Sequence, residues 1–500
     1  MWRPRSTIQS RGCRAVDDLL DLDEVVVDPS CAMQVPDDFA FAQRVMPLSF
    51  VNGDLIVAMA NPSDVRTIAE LRRELGVPVL ARAVDPGALD RLLSKIYGGI
   101  RAMKSEGQFD GAVQTVDSLL RSAFLRHASD IHFDPDENGI RVRFRVDGEL
   151  EDVMRIPPAL QPSVTSRLKV MAELKLDERR APQDGAFTWR VPAAFSNGST
   201  HLDVRLATLP GHYGEKVTMR LLETDSRRFT VDALGMLEDD RGAFLDVLGS
   251  PHGLVLLTGP TGSGKTTTLY AAIQHLLELR PLNIVTVENP IEYEIPGIFQ
   301  AEVDIADKVN FSKALRSILR HDPDVIMIGE IRDFESLDTA VKAALTGHLV
   351  LSTLHTNDAV NAVTRLANMG LERHLVAATL RLSVAQRLVR SLCERCRVAR
   401  PATEADAMRL GRPDIEGAGV YGRGGCVYCA GRGLRGRIGL FELFRPNVDI
   451  QSAIADGASE HEIRRISSSA GGRTLLDDGV DKCLAGLTTV EEVARVAFCG

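Results

Sequence analysis

Residues 259–266 read G-x-x-x-x-G-K-T, a spacing suited to holding a nucleoside triphosphate. Gly259, Gly262 and Gly264 permit a tight turn whose backbone N–H groups reach phosphate oxygens with no side chain between. The phosphate loop is taken as Gly259, Pro260, Thr261, Gly262, Ser263, Gly264, Lys265, Thr266 and Thr267. Within it Lys265 is the expected partner of the β and γ phosphates and Thr266 the expected Mg²⁺ ligand. A helix opening at Thr266 would aim its positive end at the same anion. ATP and Mg²⁺ are therefore the expected ligands.

Hydrolysis further needs a positioned water and positive charge on the γ-phosphate. "DVIMIGE" (324–330) runs four apolar residues into an acid, which makes Glu330 the candidate to orient the attacking water. Gly329 stands where many such enzymes carry the Mg²⁺-associated Asp, so more acidic work falls on "VTVENPIEYEI". There Glu288 and Glu292 flank an Asn-Pro turn and are candidates for the Mg²⁺ or its waters. His348 and His355 bracket an extended stretch that separates them by roughly 20 Å at about 3.3 Å per residue. His355 can approach the γ-phosphate, whereas His348 caps the sheet, touches a neighbour or is only structural. Arg205 and Arg220 are the candidate γ-phosphate cations. Their alternative is a solvated basic strand face.

Cys393-x-x-Cys396 and Cys426-x-x-Cys429 are two knuckles suited to one tetrahedral Zn²⁺, with 29 residues between them. Four thiolates leave no open coordination position, so the site reads as structural. Free thiols or a redox pair are the alternatives. Arginines 387, 390, 395, 397, 423, 432, 435 and 437 crowd the pairs. Only Tyr421 and Tyr428 could stack a base there, so a basic face toward acidic lipid or an acidic partner competes with a nucleic-acid ribbon. Cys13, Cys31, Cys483 and Cys499 have no partner spacing. Paired C-x-x-C beside a nucleotide site implies a reducing, cytoplasmic compartment.

The elements that must position these groups point to an α/β chain of several modules, as 500 residues allow. An arm (1–35) precedes a small α/β module (36–104) and a linker, "SEGQFDGA". An α+β module with antiparallel strands (113–228) follows, in which "IRVRFRVDGEL" alternates strictly around an Asp147-Gly148 turn. The phosphate loop belongs to 229–392, where "GLVLLTG", "NIVTVEN", "DVIMIGE" and "LVLSTLH" read as strands of a mostly parallel sheet. Ligands of such sheets sit at the carboxyl ends of the strands, where Gly259, Glu288, Glu330 and His355 fall. A tetracysteine region (393–440) and a helical region (441–500) complete the chain. Net charge of −9 opposes wholesale nucleic-acid binding. The first twenty residues lack an apolar signal region, and no stretch is apolar for long enough to span a membrane.

Taken in order, "GPTGSGKTTTLY", "VTVENPIEY", "LRSILRHDPDVIMIGEIRD", "TGHLVLSTLHTNDA", "AQRLVRSLC" and "GRIGLFEL" resemble the motifs of the bacterial secretion ATPase superfamily, whose members drive type II secretion and type IV pilus assembly. "ASDIHFDP", "VRFRVDG" and "RRAPQDGAF" resemble its N-terminal module, so the likeness covers about residues 36–500. The resemblance implies a RecA-like core with Gly329-Glu330 as its Walker B end. Residues 284–292 become its Asp box, His348 and His355 its His box, and Arg205 and Arg220 its phosphate-sensing arginines. It also implies a hexameric ring, attached peripherally to the cytoplasmic face of the inner membrane through platform and docking proteins, with no nucleic acid. The cysteine insertion resembles the secretion and pilus-assembly branches rather than retraction, and overall size leans to type II secretion. Asn289 departs from the usual Asp, and the arm before residue 33 is short for a full extra docking domain. Pilus assembly, a nucleic-acid translocase and a nucleotide-gated scaffold without turnover are the competing readings.

Overall fold

Apolar runs without polar alternation bury both faces, and that requirement builds the sheet around the phosphate loop. The structure, a computed structural model, describes residues 20, 22, 27, 29–32, 35, 37–51, 54–104, 111–191, 201–223, 230–303, 311–426, 429 and 431–497. Most of the expected arm, residues 105–110 of the expected linker, Cys13, Cys499 and Tyr428 lie outside them. The chain divides into two compact units, Met1–Leu221 and Leu222–Gly500.

In the first unit, α1 (Pro29–Ala32) and α2 (Asp37–Gln43) precede a three-stranded sheet of β1 (Val45–Val51), β2 (Asp54–Met59) and β3 (Val79–Ala83). β1 pairs antiparallel with β2, and α3 (Val65–Leu75) makes the crossover to parallel β3. Asp64 caps α3 by accepting from the N–H groups of Arg66 and Thr67. α4 (Pro86–Lys104) and α5 (Ala112–Leu125) lead to a six-stranded sheet ordered β6-β5-β4-β9-β8-β7. Its strands are β4 (Ala128–Asp136), β5 (Gly139–Val146), β6 (Glu149–Ile156), β7 (Gln183–Arg190), β8 (His201–Gly211) and β9 (Gly214–Glu223), with α6 (Gln161–Met171) before β7. Asp147 and Gly148 both have positive φ, as the two-residue turn between β5 and β6 requires. Val142, Phe144 and Val146 are buried as the alternation predicts. Across the strand Arg141 pairs with Asp152 at 2.6 Å and Arg143 with Asp134 at 2.7 Å.

The second unit carries a seven-stranded sheet ordered β12-β11-β13-β14-β10-β15-β18. Four of its strands are the expected ones: β10 (Gly253–Thr258), β11 (Ile284–Glu288), β13 (Val325–Ile328) and β14 (Leu349–Leu354), every residue of them buried. The helices α7 (Glu238–Leu248), α8 (Lys265–Leu279), α9 (Phe311–Ile318), α10 (Phe334–Leu345), α11 (Asn361–Asn368) and α12 (Arg373–Thr379) accompany them. Three strands go beyond the sequence reading: β12 (Phe299–Glu302), β15 (Leu380–Leu392), parallel to β10, and β18 (Leu434–Phe444), antiparallel to β15. The cysteine region is thus an excursion between two paired strands, carrying β16 (Val398–Pro401), α13 (Glu404–Leu410) and β17 (Gly419–Gly422). β18 runs across the expected boundary at residue 440 because its hydrogen-bond partner lies in the sheet.

After β18 come α14 (Val448–Ala455), α15 (Glu460–Ser469), α16 (Leu475–Leu484) and α17 (Val490–Ala497). α16 is bolted to β18 by fully buried charge. Lys482 pairs with Asp478 at 2.5 Å and donates to the Gly439 carbonyl at 2.7 Å, while Asp478 accepts from the Phe441 N–H at 2.9 Å. No helix among the described residues is long and apolar enough to cross a membrane. Lys482→Ala would leave the Asp478 carboxylate buried and unpaired, and a loss of about 3–5 kcal/mol is expected. A urea titration reads it as a lower midpoint at unchanged slope.

Candidate active site

The loop between β10 and α8 can wrap an anion because three of its residues adopt conformations that L side chains avoid. Gly259, Gly262 and Gly264 have φ of 143°, 80° and 90°. Gly259 and Gly264 also have no room for a side chain. A Cβ on Gly259 would lie 2.6 Å from the Gln386 carbonyl, and one on Gly264 2.8 Å from the Gln386 amide nitrogen. Lys265 opens α8 and donates to the Gly259 and Pro260 carbonyls at 2.7 and 3.0 Å. Burial, reinforced by the charge of Arg387, lowers its pKa to about 8. Thr266 and Thr267 follow on the first turn, half-buried.

Sheet register then aligns the other candidates. Thr258 is opposite Leu354, Ile328 opposite Ser352, and Val287 opposite Ile328, so His355, Gly329-Glu330 and Glu288 reach the edge where β10 enters the loop. Hydroxyls fix that edge: Ser352 donates to the Ile328 carbonyl at 2.8 Å and Thr353 to the Gly329 carbonyl at 2.7 Å. Glu330 meets the His355 ring at 3.2 Å and forms an ion pair with Arg332. Burial and then the Lys265 charge lower the His355 pKa, against a hydrogen bond to the Gly259 backbone that raises it. The ring is therefore neutral at pH 7, beside both the lysine and the loop.

Glu288, at the same edge, is taken up by a network that the Glu292 backbone joins. Glu288 is buried, with Oε2 accepting from Tyr270 at 2.5 Å and Oε1 from Thr286 and Gln300 at 2.7 and 3.0 Å. The Tyr270 hydroxyl, on α8, also accepts from the Glu292 N–H at 3.3 Å. This network orders the segment after the cis Asn289–Pro290 peptide. Three donors thus occupy most of the acceptor capacity of the Glu288 carboxylate. His348, at the opposite end of β14, bonds the Ala343 carbonyl at 3.0 Å and finishes the turn after α10. Arg205 and Arg220 sit on the polar face of the first unit's sheet, alternating with buried Val204, Leu206, Met219 and Leu221. There Arg220 pairs with Asp130 at 3.2 Å.

Sequence reasoning missed three residues here. Arg332 lies two positions past Glu330, across buried Ile331, and pairs with it. Gln386 and Arg387 come from β15. Gln386 accepts from Thr268 at 2.8 Å, and Arg387 donates to the Asn357 carbonyl at 2.7 Å. Arg387 therefore belongs to the phosphate loop, although its position in the chain groups it with the cysteines. Nor do Arg390 and Arg423 form a bare basic face, since both turn to buried Glu492.

The four cysteines do converge. Their sulfurs all lie within 4.8 Å of one another, and three pairs are 3.7 Å apart. Sulfurs placed about 2.3 Å from one tetrahedral Zn²⁺ would be separated by about 3.8 Å, so the donor set fits that ion. The Cys426 and Gly433 N–H groups donate to the Cys429 sulfur at 3.4 and 3.1 Å, which orients the ligand from behind. Burial and the three neighbouring thiols push Cys396 well above its ordinary pKa, so a cation is needed for all four to ionise together. Such an ion would join the end of β15 to the approach of β18.

Residues 107–495 match the family described as Type II/IV secretion system protein, and residues 17–103 match the MshEN domain. The chain is 40% identical over 502 residues to type II secretion system protein E of Dickeya dadantii (strain 3937), covering 95% of this chain and 99% of that one. It is 45% identical over 461 residues to type II secretion system protein E of Pseudomonas aeruginosa, covering 91% and 88%. Against the type IV pilus assembly ATPase PilB of Myxococcus xanthus the identity is 39% over 504 residues, covering 95% and 88%. The solved structure of the Legionella pneumophila ATPase DotB matches with a TM-score of 0.58 at 21% identity, over 79% of this chain and 98% of that one, a likeness of fold. The pilus retraction motor PilT with bound ADP matches with a TM-score of 0.51 at 25% identity, over 76% and 96%.

Elemental analysis of the purified chain should find zinc at about one ion per chain. Cys426→Ser should lose it and melt at a lower temperature. Zinc-free wild-type protein of unchanged melting temperature would refute the metal.

Proposed function

The chain belongs to the Type II/IV secretion system protein family, and on that premise we propose that it is a Mg²⁺-dependent ATPase motor that powers pseudopilus assembly and protein export in type II secretion. The observation that carries this reading is the meeting of Glu330 and His355 beside Lys265, at one edge of a RecA-like sheet.

In this mechanism the loop N–H groups and Lys265 take the β and γ phosphates, and Lys265 exchanges its two carbonyl partners for phosphate oxygens. Thr266 is the residue that would hold Mg²⁺, whose chemistry is to neutralise charge on the phosphate oxygens. Glu330, steadied by His355 and Arg332, orients the attacking water. His355, neutral at pH 7, faces the γ-phosphate. Glu288 and Glu292 would order the Asp-box segment beside the place that Mg²⁺ and its waters would take. Arg205 and Arg220 are proposed as γ-phosphate cations. Cys393, Cys396, Cys426 and Cys429 would hold Zn²⁺, whose role there would be structural.

A homo-hexamer is proposed as the working form, attached peripherally at the cytoplasmic face of the inner membrane to platform and docking proteins, without nucleic acid. Type IV pilus assembly is the second reading, carried by the relation to PilB. Deleting the gene separates the two, since one reading loses protein export and the other loses surface pili.

Lys265→Ala should abolish both ATP retention and hydrolysis. Glu330→Gln should keep ATP bound while turnover falls by about 10²-fold or more, and normal turnover in that variant removes Glu330 from the mechanism. Arg205→Ala and Arg220→Ala should each lower kcat in a folded protein. Wild-type rates would return those two residues to the basic strand face.

A further inference from the structure

One carboxylate behind the site divides its two oxygens between backbone N–H groups of two different elements. Glu442, on β18 and only 7% exposed, accepts from Ala359 at 3.0 Å through Oε1 and from Leu475 at 3.3 Å through Oε2. Leu475 opens α16. Ala359 stands four residues past His355, in the loop joining β14 to α11. The two residues before Ala359 are also held from outside. The Asn357 carbonyl accepts from Arg387 of β15 at 2.7 Å, and the Asp358 carboxylate accepts from Arg464 of α15 at 2.9 Å. His355 itself is 54% exposed at its side chain, so packing alone does little to fix it. Its ring meets Glu330 and the Gly259 backbone, and its main chain runs directly into the loop that follows.

We infer that Glu442 is a positioning residue for the nucleotide site, fixing the loop behind His355 to the first turn of α16. The inference rests on the assignment of His355 to the ATP site. Burial makes both hydrogen bonds matter, because an amide N–H without a partner there has no water to turn to. Glutamine at this position keeps the shape but offers one acceptor oxygen. Either Ala359 or Leu475 then faces an NH₂ group, and the loop gains freedom where His355 needs to be held.

The test is steady-state ATP hydrolysis by the full chain. Glu442→Gln should lower kcat about tenfold and leave the KM for ATP within about twofold, the pattern of a lost transition-state contact rather than lost binding. The double variant His355→Ala with Glu442→Gln should be no slower than His355→Ala alone, because both changes act through one side chain. A wild-type kcat in Glu442→Gln, or a second loss of the same size in the double variant, overturns the inference. So does a wild-type rate in His355→Ala. A wild-type chain that fails to hydrolyse ATP would instead sink the functional reading itself. Should Glu442→Gln not fold, hydrogen exchange on the wild-type chain decides. Saturating Mg-ADP should slow exchange at the Leu475 amide, and an unchanged rate there overturns the inference.

Discussion

The close approach of the phosphate-loop backbone to β15 constrains everything around it. With 2.6 Å between the Gln386 carbonyl and the place a Gly259 Cβ would occupy, only glycine lets the loop lie this close to the strand. Gln386 then bonds Thr268 inside α8, and Arg387 reaches across to the loop behind His355. A local motif of eight residues is thus completed by a strand more than a hundred positions later. That strand continues to Cys393 and pairs along its length with β18, so the nucleotide edge and the cysteine cluster share one rigid element.

Charge is placed inside this unit only where it is answered. Burial works to raise the Glu492 pKa, yet hydrogen bonds from Arg390 and Arg495 hold it at about 2. Lys482 and Asp478 pair with no exposure at all, and both also bond backbone. Such pairs add little over apolar packing of similar volume, but each is costly to break on one side. They make the seam between sheet and C-terminal helices particular about its partners. The overall acidity of the chain conceals this, since the arginines clustered in sequence near the cysteines are partly committed to Glu492.

Much of the site was legible in the sequence because its chemistry is contiguous. A phosphate loop must be consecutive residues, and Glu330 and His355 each follow a short, mainly apolar strand, so the parallel-sheet rule brings them to one edge. The paired cysteines declared themselves by spacing, and the 29 residues between them hold a short helix set between two paired strands. Other features were illegible for a physical reason. β15 carries Gln386, Arg387 and Arg390 within a buried strand, and those polar residues make sense only with the phosphate loop and Glu492 in view. β18 contains Gly436 and Gly439, which weaken any strand pattern read alone. Two of the three partners of Glu288 come from α8 and β12, and a linear reading could not separate a carboxylate facing a cation from one satisfied by Tyr270.

The cysteine cluster closes the excursion between β15 and β18 at its base rather than at its tip. Pinned ends isolate the strand pairing from the length of whatever lies between them, and loop closure grows only slowly more costly with added residues. The segment bearing β16, α13 and β17 still buries Leu410, Ile415 and Val420 in the main core, so added length is best absorbed in its exposed turns, where the sheet keeps its register.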